Sequence, residues 1–281
     1  MVILTPTILT DGLIFPEGPR WHDDKLWFSD MNAQQVMTVD LMGNVETIAY
    51  VAGSPSGLGW LPDGRLLVVS MTDRRLLRFD DGKMTQVADL FNLATYHCND
   101  MVVDGAGRAY IGNFGFDLGR FREVVPAEII MVAPDGKAMV AARDLLFPNG
   151  MVITPDGCTL IVAETFGRRL TAFDIMPDGL LKNRRIWAEM DGYYPDGICL
   201  DAEGGIWVAS PENHAGVLRV LEGGTISHRV KVESDAYACM LGGHDRQTLF
   251  VLTAGSFNPE NQGTGGRIEV VEVECPGAGL P

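Results

Sequence analysis

One pattern recurs along the chain: a short apolar run, a polar turn and a second apolar run. Its six copies begin at Glu17, Ser56, Asn99, Asn149, Asp196 and Ala238, and the sixth is the least regular. The copies start 39 to 50 residues apart, which is typical of four-stranded propeller blades. Because no helical periodicity of similar length accompanies them, the sequence predicts an all-β fold, a six-bladed β-propeller of four-stranded blades.

The turn residues support this interpretation. The 281 residues include 33 Gly and 15 Pro, and the tripeptide Pro-Asp-Gly occurs five times. Four copies fall between paired apolar runs, where Asp and Gly suit hairpin turns. The fifth, Pro195-Asp196-Gly197, falls at the start of a repeat. No linker-like stretch interrupts the sequence, so residues 1–281 are predicted to form one propeller domain.

The two ends of the chain each carry an unassigned strand. The run at 267–274 leaves the sixth repeat one strand short, and the run at 2–9 belongs to no repeat. We expect these two runs to pair, because pairing closes the ring and removes two open sheet edges. Residues 275–281 are expected to form a frayed tail.

Charge and cysteine content exclude several classes of function. The chain has 22 Lys and Arg against 37 Asp and Glu, a net charge of −15, which opposes binding to nucleic acid or to an anionic membrane. Its five cysteines form no C-x-x-C pair, which argues against a disulfide framework or a structural zinc site. No apolar run suits a signal peptide or a membrane span. We therefore expect a cytoplasmic protein with a small-molecule ligand; the sequence leaves its oligomeric state open.

The start of each repeat is the candidate site. A propeller places the first strand of every blade along its axis, so equivalent positions form a ring at one mouth of the channel. This ring contains two carboxylates, Glu17 and Asp196, and two amides, Asn99 and Asn149. Such hard oxygen donors suit calcium or another hard divalent cation. The alternatives are turn formation at the Asn-Gly and Asp-Gly pairs and, for Asn99, substrate contact or backbone capping.

Loops that follow the second strand of each blade reach the same mouth. Candidate substrate contacts in these loops or beside Asn99 and Asp196 are His97, Phe114, Phe116, Asp117, Tyr194 and His214. The aromatic rings would suit an apolar or ring-shaped ligand, although packing between blades is an alternative role for each. Either histidine could bind substrate or transfer a proton near neutral pH. No G-x-S-x-G turn supports a serine nucleophile.

Four ordered motifs, Glu17-Gly18-Pro19, Asn99-Asp100, Phe147-Pro148-Asn149-Gly150 and Pro195-Asp196-Gly197, resemble those of one family. This is the regucalcin, gluconolactonase and luciferin-regenerating-enzyme family, and the resemblance runs from Glu17 to the final strand. It implies a propeller that holds one divalent metal and hydrolyses sugar-acid lactones. It also implies that Glu17, Asn149 and Asp196 are metal ligands, that Asn99 contacts substrate or completes the coordination, and that Asp196 is the general base.

One departure concerns the substrate. Sugar-lactone hydrolases of the animal type carry an arginine two residues before the asparagine, where this chain has His97. We therefore expect a lactone that differs from gluconolactone and is less hydroxylated or aromatic.

The hypothesis is hydrolysis in which the cation polarises the lactone carbonyl and Asp196 activates water. Calcium is the expected ion, and zinc, magnesium, manganese and iron(II) are accepted by the same ligands. Three alternatives stay open: a phosphotriesterase or arylesterase on the same site, a non-enzymatic metal-binding propeller, and a ring-opening, isomerising or lyase step.

Overall fold

The computed structural model describes residues 1–120, 123–212, 215–255 and 265–279. Their strands form six sheets, five with four strands and one with five. The first strands of the six repeats contact one another in a ring, and each sheet extends outward from it. The predicted all-β, six-bladed propeller of four-stranded blades is confirmed. No helix among the described residues is long and apolar enough to cross a membrane.

The strands follow the repeat in chain order. Two precede the first blade: Val2–Leu4 (β1) and Thr7–Leu13 (β2). Blade 1 contains Pro16–His22 (β3), Lys25–Asp30 (β4), Gln35–Val39 (β5) and Val45–Tyr50 (β6). Blade 2 contains Pro55–Trp60 (β7), Leu66–Ser70 (β8), Arg75–Asp80 (β9) and Lys83–Asp89 (β10). Blade 3 contains Cys98–Val103 (β11), Ala109–Asn113 (β12), Ala127–Val132 (β13) and Ala138–Leu145 (β14).

The remaining blades have the same plan. Blade 4 contains Pro148–Ile153 (β15), Thr159–Glu164 (β16), Arg169–Ile175 (β17) and Leu181–Glu189 (β18). Blade 5 contains Ile198–Leu200 (β19), Ile206–Ser210 (β20), Gly216–Val220 (β21) and Ile226–Val230 (β22). Blade 6 contains Asp235–Gly242 (β23), Thr248–Ala254 (β24), Gly266–Glu272 (β25) and β2. The one helix in the described ranges is a 3-10 turn, Leu118–Arg120.

The two ends of the chain close the ring. Strand β2 pairs antiparallel with β25 as the outermost strand of blade 6, so the predicted pairing of terminal strands is confirmed. The first part of the predicted 2–9 strand behaves differently, because β1 pairs in parallel with β22 and becomes a fifth strand of blade 5. The amino-terminal segment therefore joins two neighbouring blades.

The expected frayed tail is not observed over 275–279. The Ala202 amide donates to the Pro276 carbonyl (2.8 Å), and the Gly277 amide donates to the Arg246 carbonyl (2.9 Å). The Ala278 amide donates to the Leu200 carbonyl (3.0 Å). These hydrogen bonds hold the tail against blades 5 and 6, and they satisfy backbone groups that fraying would leave to water. The last two residues lie outside the described ranges.

Apolar side chains fill the spaces between blades. One cluster packs blade 4 against blade 5, and others join blade 2 to blade 3 and blade 3 to blade 4. At the axis the inner strands approach closely. A Cβ added at Gly150 would lie 2.6 Å from the Ile198 nitrogen, and one at Gly197 would lie 2.7 Å from the Ala238 Cα. Both glycines therefore permit strand approach at the site, and neither has the positive φ of a left-handed turn.

Candidate active site

A cavity of about 190 Å³ opens at one mouth of the propeller, and all four polar ring residues line it. Glu17, Asn99 and Asn149 lie on the inner strands of blades 1, 3 and 4, and Asp196 lies two residues before β19. In these three blades the register between the first and second strands shifts at the ring position. Such irregularities reorient side chains near functional sites. Here they coincide with Glu17, Asn99 and Asn149, three of the four residues that the repeat brings together.

The walls of this cavity are mainly apolar. Aromatic and aliphatic side chains from five blades surround the polar residues: Phe15, Met31, Phe114, Leu118, Phe147, Phe166, Tyr194, Pro211 and Tyr237. The rings support one another, since Phe114 stacks on Phe147 with centroids 4.6 Å apart and Phe147 meets Phe166 edge-on at 5.3 Å. Ring ligands favour such surfaces. Two predicted contacts, Phe114 and Tyr194, belong to this wall.

Glu17 and Asp196 are two acidic groups in a poorly hydrated place. Asp196 is only 8% exposed. Burial, the negative charge of Asp196 and that of Asp100 raise the pKa of Glu17, while the Gly18 amide and Arg20 oppose the rise. Burial also raises the pKa of Asp196. No lysine or arginine in the described ranges forms an ion pair with either group. Two like charges without a cation beside them are costly in such a site.

Asp100, the residue after Asn99, is paired within the chain. Its carboxylate accepts a hydrogen bond of 2.9 Å from the Arg20 guanidinium, and both side chains are buried. Arg20 also donates to the carbonyls of Pro19 and Met101. The guanidinium therefore links blade 1 to blade 3 below the ring. Because its guanidinium is hydrogen-bonded there, Arg20 balances the charge of Asp100 more than that of Glu17.

The two amides differ in their surroundings. Asn149 Nδ2 donates to the Thr165 hydroxyl at 3.1 Å. The Asn149 side chain also opposes the rise that burial causes in the pKa of Asp196. Asn99 Oδ1 accepts a long hydrogen bond of 3.5 Å from the Ser56 hydroxyl, and its Nδ2 is buried with no hydrogen-bond partner among the described residues. Buried donors seldom lack a partner in native proteins. Asn99 is thus suited to donate to an oxygen of a bound ligand.

Other predicted contacts lie elsewhere. His97 is half-buried behind the wall, stacked on Tyr96 (4.2 Å) and tilted against Phe114 (6.1 Å), and burial and Arg74 lower its pKa. Phe116 packs behind the cavity against Phe166, at 5.6 Å. Asp117 accepts from the Gly119 amide at 3.0 Å. None of the three lines the cavity. His214 lies outside the described residues.

Tyr237 and Thr165 line the cavity, and the sequence did not identify either as a site residue. The repeat assigns Ala238 to the ring, but β23 has a register shift between Ala236 and Ala238, and Tyr237 contributes to the site instead. Its ring packs on Phe15 with centroids 4.6 Å apart, and burial raises its pKa, so the phenol keeps its proton. The register shift cannot be read from the sequence, whereas Thr165 directly follows β16 and so lies in one of the loops that the repeat places at this mouth.

The donor set fits a hard divalent cation. Two carboxylates without a protein cation and one amide oxygen, that of Asn149, are the oxygen ligands that calcium prefers. Within the described ranges, no group of three or more His, Cys, Asp and Glu side chains is arranged to hold a metal. A site here therefore depends on amide oxygen as well as carboxylate oxygen. Glu17, Asn149 and Asp196 are the residues that could hold the ion.

Comparisons with known proteins establish the family and the fold. The family model described as the SMP-30/Gluconolactonase/LRE-like region matches residues 15–255. Regucalcin of Danio rerio is 26% identical over 253 residues, which cover 85% of this chain and 82% of the relative. Pentonolactonase of Haloferax volcanii is 27% identical over 255 residues, 89% of this chain and 84% of the relative. A solved calcium-binding regucalcin of Agrobacterium tumefaciens has a TM-score of 0.84 at 23% identity, covering 100% of this chain and 98% of its own, and shares the fold.

Proposed function

Because the chain belongs to the SMP-30/gluconolactonase/LRE-like family, we propose that it is a lactonase that hydrolyses a small lactone in this cavity. The similarity to a pentonolactonase supports lactone hydrolysis. The observation that carries the proposal is that a buried carboxylate, Asp196, and a half-buried one, Glu17, line one cavity with the amides of Asn99 and Asn149. Buried acidic pairs in a concave site are typical of catalysis.

The proposal includes one divalent cation, with calcium the expected ion. Glu17, Asn149 and Asp196 would hold it, and their oxygen chemistry supports that role. When bound, such an ion polarises a carbonyl oxygen and stabilises the negative charge that develops on it. The same cation would balance the two carboxylates that no arginine or lysine of the described chain pairs with.

The residues of the chain supply the proton transfers. Asp196 takes a proton from water as the water oxygen forms a bond to the lactone carbonyl carbon. The bond between that carbon and the ring oxygen then breaks, and the departing oxygen receives the proton from Asp196. The product is a hydroxy acid that loses its acidic proton to solvent. Asn99 Nδ2, which has no partner among the described residues, donates to a substrate oxygen in this scheme.

The walls favour an uncharged lactone with an apolar or aromatic substituent. Phe114, Phe147, Phe166 and Tyr194 offer ring faces, and no lysine, arginine or histidine of the described residues lines the cavity. A sugar lactone would leave its hydroxyl groups against these apolar rings without hydrogen bonds, which costs free energy. His97 lies behind Phe114 and acts on the substrate only through it.

The test is a substrate panel assayed on chelator-treated protein with each divalent cation added back. We expect turnover of aryl- or alkyl-substituted lactones in preference to gluconolactone, restored best by calcium. Faster cleavage of an organophosphate or a linear aryl ester would assign the site to the esterase class instead. Retained calcium with no turnover of any compound would indicate a binding propeller and contradict the proposal.

A further inference from the structure

The hydroxyl of Thr165 lies between two of the proposed metal ligands. Thr165 follows β16, is 7% exposed and lines the cavity. Its Oγ1 is 3.1 Å from Asn149 Nδ2 on blade 4 and 2.8 Å from the carbonyl oxygen of Pro195, which precedes Asp196. A single buried hydroxyl thus connects the side chain of one ligand to the backbone that carries another.

The directions of these hydrogen bonds determine the orientation of the Asn149 side-chain amide. The Pro195 carbonyl only accepts, so the single proton of the Thr165 hydroxyl is used there. Thr165 Oγ1 can then only accept from Asn149, and the nitrogen is the sole donor on that amide. The Asn149 side chain also opposes the burial-induced rise in the pKa of the Asp196 carboxylate, as a donor nitrogen directed at that carboxylate would. Both partners therefore select the nitrogen, and Oδ1 is the atom left for a ligand.

The position of Thr165 is itself fixed by its neighbours. Its amide donates to the Phe147 carbonyl at 3.2 Å, and Phe147 has a φ of 63°, a left-handed value that a bulky residue rarely adopts. The preceding Glu164 is fully buried and accepts hydrogen bonds from Arg169 (2.9 Å) and Arg184 (2.8 Å). The hydroxyl is therefore presented from a restrained segment.

We propose that Thr165 is a positioning residue for this site: its hydroxyl holds the Asn149 amide with Oδ1 toward the cation and ties it to the Pro195-Asp196 segment. The inference rests on the proposed function for the identity of the ligands. Thr165 does not itself react with the substrate. Its role resembles that of the outer hydrogen-bond partners that orient metal ligands in other proteins, whose loss typically costs about 10- to 100-fold in metal affinity or activity.

The experiment compares Thr165→Val with Thr165→Ser. Valine keeps the shape and removes the hydroxyl, whereas serine keeps it. Thr38→Val is the matched control, because the Thr38 hydroxyl is buried with no hydrogen-bond partner among the described residues. Calcium affinity is measured by titration calorimetry on chelator-treated protein. The kinetic constants kcat and KM are measured with a lactone that the wild type hydrolyses. Crystal structures of each variant show the orientation of the Asn149 side chain.

We expect Thr165→Val to weaken calcium binding by about 10- to 100-fold, to lower kcat, and to rotate or flip the Asn149 amide. Serine should restore all three readouts, and Thr38→Val should leave them unchanged. An Asn149 amide that stays in place in Thr165→Val, or calcium affinity equal to that of the wild type, would overturn the proposal. If Asn149 moves while the wild type hydrolyses no lactone, the positioning role stands and the proposed function fails.

Discussion

Two sets of carboxylates, in the blade interior and at the channel mouth of this propeller, differ in their charge partners. Glu164 is fully buried and accepts hydrogen bonds from Arg169, Arg184, the Thr171 hydroxyl and the Leu146 amide. Burial alone would raise its pKa, but these hydrogen bonds outweigh burial and lower the pKa. Asp196 is also buried and Glu17 is half-buried. No ion pair of the described residues involves either, and burial raises their pKa values.

The difference separates an acid that is paired within the fold from two acids that bind a cation in the proposed function. The charge of Glu164 is balanced by two arginines of the chain, so Glu164 stabilises the fold without any bound ligand. The charge of the Glu17 and Asp196 pair is left unbalanced, which is a cost to the free protein and a source of affinity for a cation. Burial alone would not have distinguished Glu164 from Asp196, because both side chains are buried. Their hydrogen-bond and charge partners distinguish them.

The largest expected effect is on turnover. Asp196→Asn keeps the shape of the side chain but removes the proton acceptor and one cation ligand. We expect kcat/KM to fall by at least about 1,000-fold, because general-base catalysis alone contributes 10²- to 10⁴-fold. Steady-state kinetics on the best lactone of the panel measures it. Near-wild-type turnover in this variant, with calcium present, would remove Asp196 from the mechanism.

The second effect is on the free energy of unfolding, and it differs between Glu164 and Glu17. Glu164→Gln should lower the free energy of unfolding by about 3 kcal/mol, since it leaves two arginines without their buried partner. Glu17→Gln should leave chelator-treated protein as stable as the wild type or more stable, because it removes one of two facing charges. Urea unfolding measures both. A large loss of stability in Glu17→Gln would mean that Glu17 is structural.

The third effect is stabilisation by the cation. Calcium at 100 times its dissociation constant should raise the free energy of unfolding of the wild type by about 2.7 kcal/mol. The increase should vanish in Asp196→Asn and Glu17→Gln and persist in the matched Glu164→Gln variant. Thermal melts with and without chelator measure it. An equal shift in all four proteins would place the ion elsewhere on the surface.

The sequence predicted the fold because its repeat is regular and each copy places turn residues at the same offset. It also predicted that Glu17, Asn99, Asn149 and Asp196 lie together, since a circular fold brings equivalent positions together, and all four line one cavity. It could not identify Tyr237, because a bulge moves the site position of blade 6 by one residue. The role of His97 was equally hidden, because which side of the aromatic wall a ring occupies depends on packing between blades.

At the two ends of the chain, the sequence likewise did not reveal which backbone groups pair. The apolar run at 2–9 indicates strands, but nothing in its composition shows that β1 leaves blade 6 and pairs in parallel with blade 5. The tail over 275–279 is rich in Gly and Pro, as disordered ends are, yet its amides and carbonyls find partners on blades 5 and 6. Backbone hydrogen bonding depends little on side-chain identity, so composition does not reveal it.

The smallest effect concerns pH and tests whether Glu164 acts through its charge. Its folded-state pKa is lowered below the ordinary value near 4.5, so its contribution is present above that value and is lost as the pH falls through the folded pKa. We expect the stability difference between the wild type and Glu164→Gln to be largest near pH 7 and to narrow progressively as the pH falls below about 4.5, because a protonated Glu164 is neutral like glutamine. Urea unfolding of both proteins between pH 7 and 3 measures the difference. A constant difference over this range would show that Glu164 stabilises the blade through shape and hydrogen bonding alone. Charge would then not be what distinguishes Glu164 from Glu17 and Asp196.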